Sequence, residues 1–195
     1  MKSAILAILV ILGAVIAFGL FTGRAPAPAT TDDIASANSP VAQPVAGGRA
    51  PEFELEDQTG RLHSLEDYRD QWVVLYFYPK NETPGCTTEA CEFRDNIFAF
   101  RDLNAQILGV SIDSVESHKS FAENHSLPFP LLADVDGTTA DAYGVKTRML
   151  GMTVARRQTF LIAPDGSIAR HYTKVDPSEH SAQVIADLTE LSAET

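Results

Sequence analysis

Read from the N-terminus, the pattern of apolar and polar positions changes character twice. Residues Ala4 to Phe21 form an uncharged run of 18 with no polar face at any helical period. As a helix the run would span ~27 Å at ~1.5 Å per residue, close to the hydrocarbon thickness of a bilayer. From Thr22 to Gly48 the chain turns to Ala, Pro, Thr and Ser, and large aliphatic residues nearly vanish. Such a stretch buries too little surface to offset its ordering entropy, so 22–48 reads as a flexible linker. Residues 49–195 then carry the alternations of one folded domain.

Within that domain, Phe53-Glu54-Leu55, the turn Asp57-Gln58-Thr59-Gly60 and Leu62-His63-Ser64 predict a short hairpin. Trp72 to Tyr78 is continuously apolar and rich in β-branched and aromatic residues. It is expected to be a central strand buried on both faces and stopped by Pro79. Positions 86, 90, 93, 97 and 100 are Cys, Ala, Phe, Ile and Phe, one face of a helix over 86–103. Ala105–Ile112 predicts a strand, Val115–Asn124 an amphipathic helix, Leu131–Ala133 a short extended piece and Thr138–Tyr143 a brief helix. Gln158–Ala163 and Ile168–Tyr172 read as strands joined across Pro164-Asp165-Gly166. Ser178–Leu191 closes as a helix with Ser178 as its N-cap. Strands alternate with helices first and pair antiparallel later. That order suits an α/β, thioredoxin-like arrangement, a mixed central sheet flanked by helices, preceded here by one transmembrane helix.

Charge sharpens the division. The chain has 26 acidic and 15 basic side chains, a formal charge of −11. Residues 1–48 hold Lys2, Arg24, Asp32 and Asp33 and are neutral, so the domain carries the whole excess. An acidic surface excludes a nucleic-acid partner. Two cysteines make neither a disulfide-rich scaffold nor an all-cysteine zinc site. A buried core helix and a cleaved signal peptide are the rival readings of the apolar run. A signal peptide's apolar region is ~7–15 residues, shorter than this one, although a small-residue site stands at Ala27-Pro28-Ala29. We read 1–21 as an uncleaved membrane anchor, with a cleaved secretory form as the alternative. Lys2 and the terminal amine precede the run and Arg24 follows it. That margin of one charge places the domain on the extracytoplasmic, periplasmic side.

The chemistry concentrates in Tyr78-Pro79-Lys80-Asn81-Glu82-Thr83-Pro84-Gly85-Cys86, where a strand ends, a loop turns and a cysteine enters the first turn of a helix. Unpaired N–H groups and the helix dipole favour a negative group there, and a thiolate is such a group. The Thr83 hydroxyl stands three residues before the sulfur, within reach of it or of a substrate oxygen. The plain alternative for Cys86 is a small buried hydrophobe. Cys91 follows five residues on. In an intact helix the two Cα atoms are roughly 8.7 Å apart, beyond the ~7 Å that a disulfide allows. A bond between them therefore requires the first turns to unwind, unless Cys91 only packs beside Phe98. An anionic sulfur also benefits from a fixed cation, and Arg148, Arg156 and Arg157 are candidates. Arg157 directly precedes an apolar strand, yet chemistry alone leaves Arg156 and Arg157 unresolved. The five histidines show no metal-ligand spacing. Asp134-x-Asp136-Gly137 reads as a turn, and no glycine-rich nucleotide pattern appears. No metal and no cofactor is expected.

Pro79-x-x-x-Thr83-x-x-Cys86 resembles the signature of the peroxiredoxins. The fuller run YFYPKNETPGCTTEACEFRD is similar to their Q-type subgroup, the bacterioferritin comigratory proteins. The likeness continues through ILGVSIDSVESHKSFAENHSLPFPLLAD, AYGV at 142–145 and RQTFLIAPDG at 157–166. It implies a thiol-dependent peroxidase acting on hydrogen peroxide and organic hydroperoxides. Cys86 would be the peroxidatic cysteine, Cys91 the resolving one, Thr83 a hydrogen-bonding partner of the peroxide, Pro79 a shield and Arg157 the activating arginine. It further implies recycling by thioredoxin or a thioredoxin-like reductant, and a monomer. Two other classes stand beside it. A dithiol–disulfide exchange protein normally has a C-x-x-C pair, whereas the spacing here is C-x4-C. A membrane-tethered, non-catalytic binding module would use its cysteines structurally.

Overall fold

The computed structural model describes residues 44–193. The expected anchor over 1–21, and the expected linker up to residue 43, lie outside the described residues. Among the described residues no helix is long and apolar enough to cross a membrane. Residues at the linker's C-terminal end belong to the folded domain. Gly47 N–H donates to the carbonyl of Ile168, and Ile168 N–H donates back to Gly48. The folded domain thus includes the last residues that composition alone assigns to the linker.

The predicted hairpin forms from β1 (Glu54–Glu56) and β2 (Leu62–Ser64), followed by a 3-10 turn over Leu65–Tyr68. The centre is a five-stranded mixed sheet. Its strands are β3 (Trp72–Phe77), β4 (Ala105–Ser111), β5 (Leu131–Ala133), β8 (Gln158–Ile162) and β9 (Ile168–Tyr172). Their order is β5-β4-β3-β8-β9. Strand β3 is buried at all six positions, as expected of a strand covered on both faces. It runs parallel to β4 and antiparallel to β8, with Phe77 opposite Gln158.

Three helices cover one face: α1 (Pro84–Asp95), α3 (Val115–His125) and α5 (His180–Ala193). There Tyr76, Tyr78, Phe93, Phe100, Phe121, Val184 and Leu188 share one core with Cys86. The other face packs Val73, Leu75, Phe77, Phe160 and Ile162 against Leu65, Ala140 and Tyr143. Ala140 belongs to α4 (Thr138–Ala142). The arrangement is the thioredoxin-like α/β fold expected from the order of elements.

Three local departures have physical causes. The helix predicted over 86–103 breaks at Asn96, whose side-chain amide donates to the carbonyl of Glu92 and ends α1. A second short helix, α2 (Ile97–Asp102), follows. The apolar face survives the break, with Phe93 and Phe100 both buried and their rings 5.7 Å apart. Before α5 the capping carboxylate is Asp176, which accepts from the N–H and the hydroxyl of Ser178, so Ser178 is not the N-cap. A hairpin that no periodicity announced joins β6 (Lys146–Met149) to β7 (Met152–Ala155).

Candidate active site

The loop after β3 is shaped residue by residue. Pro79 follows the last strand positions, and Pro84 occupies the first turn of α1, where its fixed φ suits the helix and its missing N–H costs nothing. Thr83 is the N-cap, with extended backbone. Its hydroxyl does not cap the helix but donates to the carbonyl of Lys80 at 2.9 Å. The first helical bond runs from Thr87 N–H to Thr83, so the N–H groups of Gly85 and Cys86 precede it.

Behind the loop lies a buried polar frame. Asn81 N–H donates to Asp113 at 2.9 Å, and the Asn81 side-chain amide donates to Ser117 at 2.8 Å and to His118 Nδ1 at 3.1 Å. His118 Nε2 faces the carbonyl of Leu132 at 3.1 Å and donates to it, while Nδ1 accepts from the Asn81 amide, the pattern of a neutral ring. Burial pushes His118 down to about 4, against the nearby Asp113. Burial opposes ionisation of Asp113, yet the N–H of Asn81, the Ser111 hydroxyl and Lys80 together hold it below the ordinary carboxylate range. Glu82 has φ +58 and binds Asn124 and His125 through its carboxylate, both at 2.9 Å. The loop is thereby pinned to the end of α3.

Cys86 is almost wholly buried, 1% exposed as a residue. Arg157 Nη2 donates to its sulfur at 3.2 Å, and Nη1 donates to Glu89. Of the three candidate arginines, Arg157 is the one that contacts the sulfur, while Arg156 and Arg148 are exposed. The topology explains the reach. Arg157 stands one residue before Gln158, which pairs with Phe77 at the end of β3 where the cysteine loop begins. Gly85 leaves room for the guanidinium, since a Cβ there would stand 3.2 Å from Arg157 Nη2.

Glu89 is the residue that sequence reasoning missed. It sits one turn after Cys86 on the same buried helix face and is 1% exposed. Burial pushes its carboxyl up to about 7, with Arg157 pulling the other way. Burial would lower the Arg157 guanidinium, but Glu89 and Cys86 outweigh it and raise the group instead. The second Glu89 oxygen is buried without a hydrogen-bond partner among the described residues. The available signal was a carboxylate on an otherwise apolar face running Cys86, Ala90, Phe93.

Pro79, Thr83 and Arg157 line one cavity of about 330 Å³, whose opposite wall is Met149, Leu150, Met152 and Val154 from the β6–β7 hairpin. Four of the five expected site residues therefore converge: Cys86 through Arg157, and Pro79, Thr83 and Arg157 around the cavity. Cys91 does not join them. It is half-buried, both cysteines are free thiols, and α1 runs unbroken between them. Phe98, expected beside Cys91 on one helix, lies beyond the break in α2 and is 71% exposed. The histidines serve other partners: His63 meets Asp57, His125 meets Glu82, His171 meets Gln158 and His180 meets Thr159.

Comparison with known proteins gives a consistent picture. The AhpC/TSA family model matches residues 46–171. The chain is 43% identical over 150 residues to peroxiredoxin Bcp of Bacillus subtilis, covering 75% of this chain and 96% of that protein. It is 39% identical over 155 residues to the chloroplastic peroxiredoxin Q of Sedum lineare, covering 79% and 83% respectively. Among solved structures, peroxidoxin BcpB of Mycobacterium tuberculosis superposes with a TM-score of 0.72 at 36% identity, over 76% of this chain and 99% of that one. The bacterioferritin comigratory protein of Xanthomonas campestris, described for alkyl peroxide reduction, gives 0.68 at 35% identity, over 72% and 92%.

Proposed function

The chain belongs to the AhpC/TSA family, in its peroxiredoxin Q/Bcp branch, and on that footing we propose that Cys86 is its peroxidatic thiol and Cys91 the resolving one. The protein is a thiol-dependent peroxidase, an oxidoreductase that takes a hydroperoxide substrate and a thioredoxin-type reductant. The observation that carries the residue assignment is the hydrogen bond from Arg157 Nη2 to the sulfur of the buried Cys86.

In the first step the ionised sulfur attacks one peroxide oxygen. An S–O bond forms, the O–O bond breaks, and the departing oxygen takes a proton to leave as water or an alcohol. Cys86 is oxidised to a sulfenic acid and the peroxide is reduced. Arg157 offsets negative charge on the sulfur and on the oxygens as the bond stretches. The Thr83 hydroxyl has its proton committed to Lys80 and so presents a lone pair to the peroxide O–H. Pro79 closes one side of the cavity. In the second step the first turns of α1 unwind and the Cys91 thiolate attacks the sulfenic sulfur. An S–S bond forms, the S–O bond breaks, and the departing hydroxide takes up the proton that the Cys91 thiol gave up and leaves as water. The reductant's dithiol then takes over the disulfide, restoring both thiols.

Organic hydroperoxides join hydrogen peroxide as substrates in this reading, supported by the apolar wall of Met149, Met152 and Val154. The reading extends to a monomer held at a membrane by residues 1–21, its domain on the extracytoplasmic side. Support comes from the uncharged run Ala4–Phe21 and from Lys2 set against Arg24. The deciding assay is peroxide-dependent oxidation of reduced thioredoxin by the full chain. Turnover is expected with the wild type and none with Cys86→Ser. Full multiple turnover in Cys86→Ser overturns the assignment.

A further inference from the structure

The tip of the β6–β7 hairpin breaks two rules of a water-facing turn. Its central residues are Leu150 and Gly151, between the paired Met149 and Met152. Both have positive φ, +51 and +82. Such two-residue turns select Asn or Asp before glycine, because a branched apolar residue is strained there. Leu150 accepts that backbone and is nonetheless 93% exposed. Met149 and Met152 flank it at 45% and 49% exposure. Three large apolar side chains thus stand wholly or partly in the open at one apex.

The charges along this stretch of sequence are as unusual as its tip. The chain's formal charge is −11, yet between Asp141 and Asp165 it has Lys146, Arg148, Arg156 and Arg157 and no acidic residue. Arg157 is turned inward to Glu89, and Lys146 leans on the carbonyl of Asp136. Arg148 and Arg156 are exposed, and neither forms an ion pair among the described residues. Apolar side chains at an apex, with free cations set back from it, match the layers of an anionic bilayer: acyl chains inside, phosphates above.

We propose that the β6–β7 hairpin seats in an anionic lipid surface, with Leu150, Met149 and Met152 among the upper acyl chains and Arg148 and Arg156 at the headgroup phosphates. The same three apolar residues wall the cavity beside Thr83 and Arg157. Seating the tip therefore opens that cavity onto the membrane, where a lipid hydroperoxide enters without crossing water. The inference rests on the folded domain and is independent of the anchor over 1–21.

The test uses the full chain with Leu150→Trp, bound to vesicles of equimolar phosphatidylcholine and phosphatidylglycerol brominated on the acyl chains. Met152→Trp serves as a second reporter, and the parent chain, whose Trp72 lies in β3, sets the background. The tip emission is expected to move to the blue and to be quenched by shallow bromines. Replacing Arg148 and Arg156 by Gln is expected to lower the ratio of seated to unseated tips about fivefold per arginine. Vesicles of phosphatidylcholine alone are expected to lower it as well. A chain that sediments with the vesicles while its tip stays unquenched overturns the proposal, and leaves a protein partner as the hairpin's occupant. Quenching indifferent to lipid charge overturns it too. A chain that does not sediment overturns both this proposal and the membrane anchor.

Discussion

Arg157 holds its Nη2 3.2 Å from the sulfur of Cys86 across a sequence separation of 71 residues. The contact exists because β8 runs antiparallel to β3, which brings the residue before β8 to the end of the sheet where the cysteine loop starts. Removing the guanidinium takes away a fixed donor at the place where charge develops. Arg157→Ala is expected to slow the first oxidation of Cys86 about a hundredfold, the usual scale for losing one such donor. Stopped-flow fluorescence in a single turnover reads this directly. Arg156→Ala, one residue away and facing solvent, should leave the same rate within a factor of about two, as surface substitutions generally do.

Gly85 offers a gentler version of that experiment. A methyl group there meets the guanidinium at 3.2 Å. Gly85→Ala is expected to displace Arg157 while leaving α1 intact, since alanine favours helix. The oxidation rate should fall about tenfold, at the lower end of what misplacing a catalytic group costs. An unchanged rate constant with an unchanged circular dichroism spectrum would mean the contact has no kinetic role.

Glu89 makes a prediction with a definite sign. Its folded carboxyl titrates at about 7 rather than the ordinary 4.5 because it is buried. Between those values the native state holds a proton that the unfolded chain has lost, so this group makes stability fall as pH rises. His118 and His180 act oppositely. Burial lowers each to about 4, so the unfolded chain binds more protons and stability rises with pH from about 4 to 6.5. Glu89→Gln isolates the first contribution. Measured by urea unfolding, its stability relative to wild type should climb by roughly 3 kcal/mol between pH 4.5 and 7. A pH-independent difference would refute this account of the carboxyl.

The two histidines predict acid lability on their own. His118 braces Asn81 and the carbonyl of Leu132, and His180 meets Thr159 at 2.8 Å. Protonating either buries a charge. Wild-type stability should therefore drop as pH is lowered from 6.5 toward 4, and His180→Gln should flatten part of that slope. Equilibrium unfolding at pH 4.5, 5.5 and 6.5 checks it.

Cys91 tests the second chemical step. Peptide mapping of peroxide-treated protein should find a Cys86–Cys91 bond. Cys91→Ser should still oxidise once at Cys86 and then stop. Because α1 is continuous between the two thiols, bond formation should be accompanied by loss of helical signal and faster amide exchange over 84–91.

The fold was legible wherever burial forces a pattern. Strand β3, the Cys86–Phe93–Phe100 face and the Pro164-Asp165-Gly166 turn each declare themselves through apolar spacing or turn chemistry. The hairpin at β6–β7 did not, because its strands are half-exposed and its turn lacks the Asn or Asp that usually marks one. The break at Asn96 depends on one side-chain hydrogen bond, which periodicity cannot register. In the site, Cys86, Thr83, Pro79 and Arg157 are visible from residue type and family likeness. Glu89 is hidden because its role comes from a partner 68 residues away.

That separation has a consequence during synthesis. A ribosome extends the chain from its N-terminus, and strands β3, β4 and β5 are complete well before residue 157 is added. Until then the nascent protein exposes a cysteine with no guanidinium beside it. The guanidinium's share of its reactivity arrives only when β8 inserts along the open edge of β3, so full attack on a peroxide is tied to completion of the sheet.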